Sequence, residues 1–142
     1  HAIGDEALKA VAKLLRAQIR PYDRAARFGG DEFLVMLWPC DQSTLATLGE
    51  RIRAQAEQSL QLSDGRRITL SIGAHLVQPG ETEEQALLHA DKALYRAKAG
   101  GRNRIGIQRL APTPRSTCAV VALDAPDAHH FWHAAHGAHR AR

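Results

Sequence analysis

Arg24 to Trp38 reads RAARFGGDEFLVMLW, and this stretch decides the fold. Phe33 to Trp38 is a continuous apolar run of strand length, which suits a strand buried on both faces. Arg24 to Phe28 can form a short strand before it. Gly29-Gly30-Asp31-Glu32 lies between the two, so the pair reads as a β-hairpin with its tip at the glycines. The tip is also the main chemical signal. Two glycines let backbone N–H groups come close to phosphate oxygens, because no Cβ obstructs them. Two adjacent carboxylates can hold a divalent cation through oxygen ligands, as Mg²⁺ prefers. The same residues also make an ordinary acidic, glycine-rich β-turn.

Outward from the hairpin the chain is regular. Upstream, Leu8, Val11, Leu15 and Ile19 fall on one face of a helix expected over Gly4 to Arg20, stopped by Pro21. Downstream, Asp41 or Ser43 can cap a helix with Leu45, Leu48, Ile52 and Ala56 on one face. Arg67 to Gly73 alternates Ile68, Leu70 and Ile72, which predicts a strand. Thr82 with Gln85 makes a capping box for a helix running to about Ala99, closed by Gly100-Gly101. Arg104 to Leu110 offers a last strand. The order α-β-β-α-β-α-β predicts an α+β fold, a β-α-β-β-α-β core that lacks its first strand. Such a strand would lie inside the sheet, so an unpaired strand edge is expected in its place.

The 142 residues suit one domain and a tail, and their 44% hydrophobic and 24% charged content is ordinary for a globular chain. No apolar run approaches the ~20 residues that span a bilayer. The net charge of +4 comes from fifteen Arg and four Lys against fifteen acids, which fits a phosphate-bearing ligand or a plain basic surface. No polybasic block is present and aromatics are few, so no nucleic-acid partner is expected. Two cysteines, Cys40 and Cys118, cannot form a disulfide scaffold, and a cytoplasmic setting is expected.

Four motifs carry a resemblance. Phe28 to Phe33 resembles the signature hairpin of the GGDEF family, the diguanylate cyclases. His1-Ala2-Ile3-Gly4-Asp5 resembles the end of the family's "GHxxGD" element, and Ser71-Ile72-Gly73-Ala74 its "SIGvA" strand. Ala90 to Lys98 with Gly101-Arg102-Asn103 resembles its "ADxALYxAKxxGRN" helix and exit. The resemblance covers residues 1–109 and implies a GGDEF-type, palm or ferredoxin-like fold, a bacterial second-messenger enzyme condensing two GTP to cyclic di-GMP and pyrophosphate across a homodimer. It implies metal and catalytic roles for Asp31 and Glu32 with Mg²⁺ or Mn²⁺, phosphate contacts for Gly29, Gly30, Lys98 and Arg102, and guanine recognition by Asp5. Each also has a plainer reading: Asp5 at a helix N-terminus, Lys98 and Arg102 at a helix C-terminus.

Arg20-Pro21-Tyr22-Asp23 fits an RxxD pattern, with five residues between Asp23 and Gly29. It resembles the family's inhibitory site, where cyclic di-GMP binds, with Arg51 as the additional arginine; a surface ion pair is the simpler alternative. The family's opening "DxDxFKxxND" segment does not precede His1 in this chain. The domain over 1–109 is therefore expected to be N-terminally incomplete, with half of the metal site lacking and little cyclase activity of its own. A non-catalytic module binding GTP or cyclic di-GMP is the alternative. Residues 110–142, with nine Ala, three Pro and five of the eight His, are expected to be a poorly ordered tail. His129, His133 and His136 share a helical spacing that suits Zn²⁺ or Ni²⁺, against the plainer reading of a frayed terminus.

Overall fold

In the computed structural model, which describes residues 2–28, 30–108 and 118–125, the central stretch folds as a hairpin. Its strands are β1 (Arg24–Arg27) and β2 (Glu32–Leu37), paired antiparallel from Arg27↔Phe33 to Arg24↔Met36. Before it stands α1 (Ala2–Gln18), which buries Ala7, Val11, Leu14 and Leu15. After it comes α2 (Gln42–Ser59), started by Asp41, whose Oδ1 accepts from the Thr44 N–H at 2.7 Å. Leu45, Leu48, Ile52 and Ala56 form its buried stripe.

The next strand, β3, spans Ser71–Leu76 and is displaced toward the C-terminus from the expected Arg67 to Gly73. Ile68 and Leu70 are buried as the alternation requires, but they have no ladder partner. Burial sets the period of two; before Ser71 the segment meets the Leu60–Gln61 stretch, through an isolated Gln61–Arg67 bridge and the Ile68 N–H donating to the Leu60 carbonyl at 3.0 Å, and the continuous ladder starts at Ser71. Then α3 (Glu83–Ala99) crosses back, with both halves of the Thr82–Gln85 capping box formed, and β4 (Ile105–Gln108) pairs parallel to β3.

The last strand corrects the sequence reading. Residues 119–124, inside the stretch expected to be a tail, form β5 (Ala119–Asp124), buried along its whole length. The sheet order is β1-β2-β5-β3-β4, with β5 antiparallel to both neighbours. The interior place expected to stand vacant is thus filled from the C-terminal side, and no unpaired edge remains between β2 and β3. Its sequence, AVVALD, is short and apolar, as a strand covered on both faces requires, but it sits inside an Ala/His/Pro-rich segment whose average composition conceals it. The rest of that segment, including His129, His133 and His136, lies outside the described residues, as do His1, Gly29 and Leu110 at the end of the last expected strand.

Two layers of helix cover the sheet. The face carrying Phe33, Val35, Leu37, Ile72, Ala74, Val121 and Leu123 packs on α1 and α2. On the other face, Val120 and Ala122 meet Ala86, Ala90 and Leu94 of α3, with Leu34 alongside. A Cβ at Gly73 would meet the Leu94 nitrogen and the Ala90 carbonyl oxygen, so glycine there lets the α3 backbone lie directly on β3. Because α3 lies over β3, β4 and β5, the far side of β2 is left open. Met36 is 40% exposed, so β2 is not buried on both faces as the apolar run suggested. Among the described residues no helix is long and apolar enough to cross a membrane.

Candidate active site

The hairpin is closed by Phe28 N–H donating to the Glu32 carbonyl at 2.7 Å. Arg27 donates through Nε and Nη2 to the Gly30 carbonyl at 3.2 and 2.8 Å, which fixes the tip against its own strand. Asp31 and Glu32 are then carried into the interior, at 1% and 5% exposure. Both lie where β2 meets β5, and the register sets Glu32 opposite Asp124, which is itself opposite Ser71. Side chains in one such row share a face of the sheet. Three carboxylates from two distant parts of the chain are therefore collected at one end of the sheet.

The far end of α3 supplies the countercharge. Lys98 Nζ lies 2.9 Å from Asp124 Oδ2, and Arg102 Nη1 lies 3.5 Å from the same oxygen. Arg102 is brought round by an unusual backbone: Gly101, Arg102 and Asn103 all have positive φ, at 122°, 64° and 47°. The Arg102 N–H donates to the Ala97 carbonyl at 3.0 Å, a bond that caps the helix. A non-glycine residue in the left-handed region is strained by roughly 1 kcal/mol, and here the conformation returns the guanidinium to Asp124.

Both cations reach the same member of the buried trio, Asp124. Burial, the hydrogen bond with Asp124 and the charges of Asp124 and Glu32 push the Asp31 carboxyl up to about 8. Three carboxylates gathered as oxygen donors in a buried site fit a hard divalent cation. Asp31, Glu32 and Asp124 are the residues that would hold it. Asp124 was missed in the sequence because its role depends on sheet position; the only signal was a strand-like apolar run ending in an acid.

The other expected residues divide. Asp5 is exposed in the first turn of α1, where it lines a surface depression with Glu6, Lys9 and Lys13. Lys98 and Arg102, expected at phosphates, are paired with Asp124. Gly30 presents its carbonyl to Arg27. At the RxxD segment, Arg20 forks onto Asp23 at 2.9 and 3.0 Å. The Asp23 side chain is fully buried and also accepts from the Trp38 N–H at 3.0 Å, so this is not a surface ion pair. Burial alone would raise the Asp23 carboxyl, but the hydrogen bonds from Arg20 and Trp38 hold it below the ordinary range. Arg51 donates to Gln18 at 2.8 and 2.9 Å and lines one depression together with Arg20, Ser43, Thr44 and Thr47.

Comparison with known proteins gives the family of the chain. The profile described as "Diguanylate cyclase, GGDEF domain" matches residues 1–104. Diguanylate cyclase A of Treponema denticola is 40% identical over 112 residues, which is 77% of this chain and 30% of that protein. The bifunctional diguanylate cyclase/cyclic di-GMP phosphodiesterase MucR of Pseudomonas aeruginosa is 39% identical over 72% of this chain and 15% of its own length. This chain thus spans less than a third of these relatives. Among solved structures, the active GGEEF domain of a diguanylate cyclase from Vibrio cholerae superimposes with a TM-score of 0.71 at 32% identity, covering 78% of this chain and 72% of that one. The GGDEF domain of DgcB from Caulobacter crescentus, in complex with c-di-GMP, superimposes with a TM-score of 0.70 at 35% identity, covering 76% and 66%.

Proposed function

Since the chain belongs to the GGDEF family, we propose that it is a diguanylate cyclase domain condensing two GTP into cyclic di-GMP and two pyrophosphates. The observation that carries this reading is the gathering of Asp31, Glu32 and Asp124 with Lys98 and Arg102 at one end of the sheet. Asp124 on β5 adds a third carboxylate beside the hairpin pair, which supports a catalytic site over a half-site.

A bound Mg²⁺ or Mn²⁺ would lower the pKa of the attacking 3′-hydroxyl and offset charge on the leaving phosphates. The chain's own residues do the rest. Asp31, Glu32 and Asp124 supply oxygen ligands and, through the protonation of Asp31, compete a proton against the cation. Lys98 and Arg102 keep positive charge beside the cluster; Arg102, 42% exposed, is free to turn toward a triphosphate. Gly29 and Gly30 are assigned to the phosphates and Asp5 to the guanine edge. Two such domains must meet for each hydroxyl to reach the other's α-phosphate, so a homodimer is part of this reading. Arg20, Asp23 and Arg51 are assigned to product inhibition, supported by the shared depression of the two arginines and by the c-di-GMP bound to the DgcB relative. A cytoplasmic setting, where GTP is supplied, completes the reading.

Turnover of GTP by the full chain with Mg²⁺ tests it. Cyclic di-GMP is the expected product, and Asp124→Asn is expected to lower its formation by about 10²–10³-fold, as loss of one transition-state-stabilising group does. Wild-type turnover in Asp124→Asn would sink the assignment of β5 to the site. Binding of GTP without any product would leave a non-catalytic module instead.

A further inference from the structure

The opposite end of the α3–sheet interface holds a second polar cluster that the cyclase reading does not use. His75 is on β3, four residues beyond Ser71 and on the same face, so it lies roughly 13 Å along the strand from the carboxylate row. His89 is in the second turn of α3, directly above it. Glu81 is in the turn between them, set by Pro79-Gly80 and by the Glu81 N–H donating to the Gln78 carbonyl at 3.0 Å. The three side chains converge. His75 Nε2 is 2.8 Å from Glu81 Oε1, and His89 Nε2 is 3.3 Å from Glu81 Oε2. The two imidazole rings lie side by side, 4.6 Å between centroids and tilted by 35°. One ligand atom from each residue lies within 4.8 Å of the other two.

A hydrogen-bonded core pair explains only part of this. The His75 side chain is fully buried, that of Glu81 is 7% exposed and that of His89 is 26% exposed. The Nδ1 atoms of His75 and His89 are both buried and have no hydrogen-bond partner among the described residues. A buried polar atom without a partner is costly, so a purely structural network with two of them is poorly made. Meanwhile the carboxylate is kept charged. Burial would raise Glu81, but the Gln78 N–H and His75 outweigh it and hold the group below its usual range. The result is a preformed, desolvated set of two imidazoles and one carboxylate. It has the donor chemistry of a borderline cation and differs from the all-oxygen cluster at the other end.

We propose that His75, Glu81 and His89 form a binding site for a transition-metal dication of the Zn²⁺ class. Two nitrogens and one carboxylate oxygen are a three-ligand set that leaves a fourth tetrahedral position open to water. The ion would tie the end of β3, the following turn and the start of α3 at one point. Binding would therefore be read as stabilisation of the fold, growing with metal concentration by mass action. The site stands independently of the cyclase reading, since none of its residues belongs to the carboxylate cluster.

Calorimetric titration of Zn²⁺ into the full chain, with Mg²⁺ in excess to occupy the carboxylate end, tests it, with thermal unfolding followed in parallel. One strong site and a rise in the unfolding midpoint are expected. In His89→Gln, whose side chain is partly exposed and least needed for folding, the affinity should fall by more than the roughly 10–100-fold that loss of an outer partner costs. Glu81→Gln should give the same loss. Far-UV circular dichroism and an intact Mg²⁺ response establish that each variant is folded; a variant failing either is replaced by His89→Asn. The terminal histidines provide the competing outcome. Strong Zn²⁺ binding that survives His89→Gln but vanishes in a His133→Ala/His136→Ala double variant would overturn the proposal, as would wild type that binds no Zn²⁺.

Discussion

The two ends of α3 rest on the same sheet face and treat buried charge in opposite ways. At the C-terminal end, Glu32, Asp31 and Asp124 crowd oxygen atoms together, and Lys98 and Arg102 approach from the last turn and the exit. Cations near a helix C-terminus also suit its dipole. At the N-terminal end a single carboxylate, Glu81, is shared between two imidazoles, close to an N-terminus that carries Glu83 and Glu84. One cluster is rich in oxygen donors, the other in imidazole nitrogens. Between them lie small residues, Ala90, Gly73 and Ala122, with Leu94. Neither cluster is made by one segment. Each exists because α3 sits at one height above β3, so both depend on the same close approach.

That dependence can be broken at Gly73. A Cβ there would run into the backbone of Leu94 and Ala90, which cannot move without the whole helix. Gly73→Ala is expected to lower stability by about 2–3 kcal/mol, at the upper end of overpacking costs, read from the denaturant midpoint. Turnover and Zn²⁺ affinity should fall together. A loss at only one end would show that the two clusters are held separately.

The crowding at the carboxylate end can be tested without substrate. Folding raises the Asp31 carboxyl from an ordinary value of 3.8 to about 8. Between those limits the native state holds a proton that the unfolded chain has lost, so stability without metal must decline as the pH climbs from about 4 to about 8. Above that window the decline from this group ends. Asp31→Asn should flatten the slope and stabilise the metal-free domain by about 1–3 kcal/mol at pH 8, while abolishing turnover. Saturating Mg²⁺ should flatten the wild-type slope too. A metal-free wild type whose unfolding midpoint is level from pH 4 to 8 would mean that the three carboxylates do not share one desolvated space.

What was legible in the sequence follows from how local each feature is. The hairpin, the Asp41 cap and the Thr82–Gln85 box depend on residues within a few positions of one another, and they form where the sequence places them. β3 is misplaced by its alternation because Ile68 and Leu70 are buried before the continuous ladder begins, and that ladder is decided by distant strands. β5 is harder still. Its six residues are unexceptional alone; the sequence points to a vacant interior place, but only the folded sheet shows that this segment fills it. The site divides in the same way. Asp31, Glu32, Lys98 and Arg102 sit in recognisable motifs. Asp124 joins them only by register, and His75, Glu81 and His89 meet only because a strand, a turn and a helix fold over one another.

The smallest expected effect separates the two ends most cleanly. Thr82 caps α3 beside Glu81, its side chain accepting from the Gln85 N–H at 3.1 Å while Gln85 returns the bond to the Thr82 N–H at 3.0 Å. Thr82→Ala removes one half of this box and is expected to cost about 1 kcal/mol. The helix it starts has 17 residues, so its far end is roughly 25 Å away. Fraying of the first turn should loosen Glu81 and His89 and weaken Zn²⁺ binding several-fold. Lys98 and Arg102 are held by the opposite terminus and by Asp124, so GTP turnover should keep both its kcat and its KM. If turnover falls in step with the metal affinity, α3 moves as a rigid rod and the two clusters are coupled; if only the metal affinity falls, they are independent sites that share one helix.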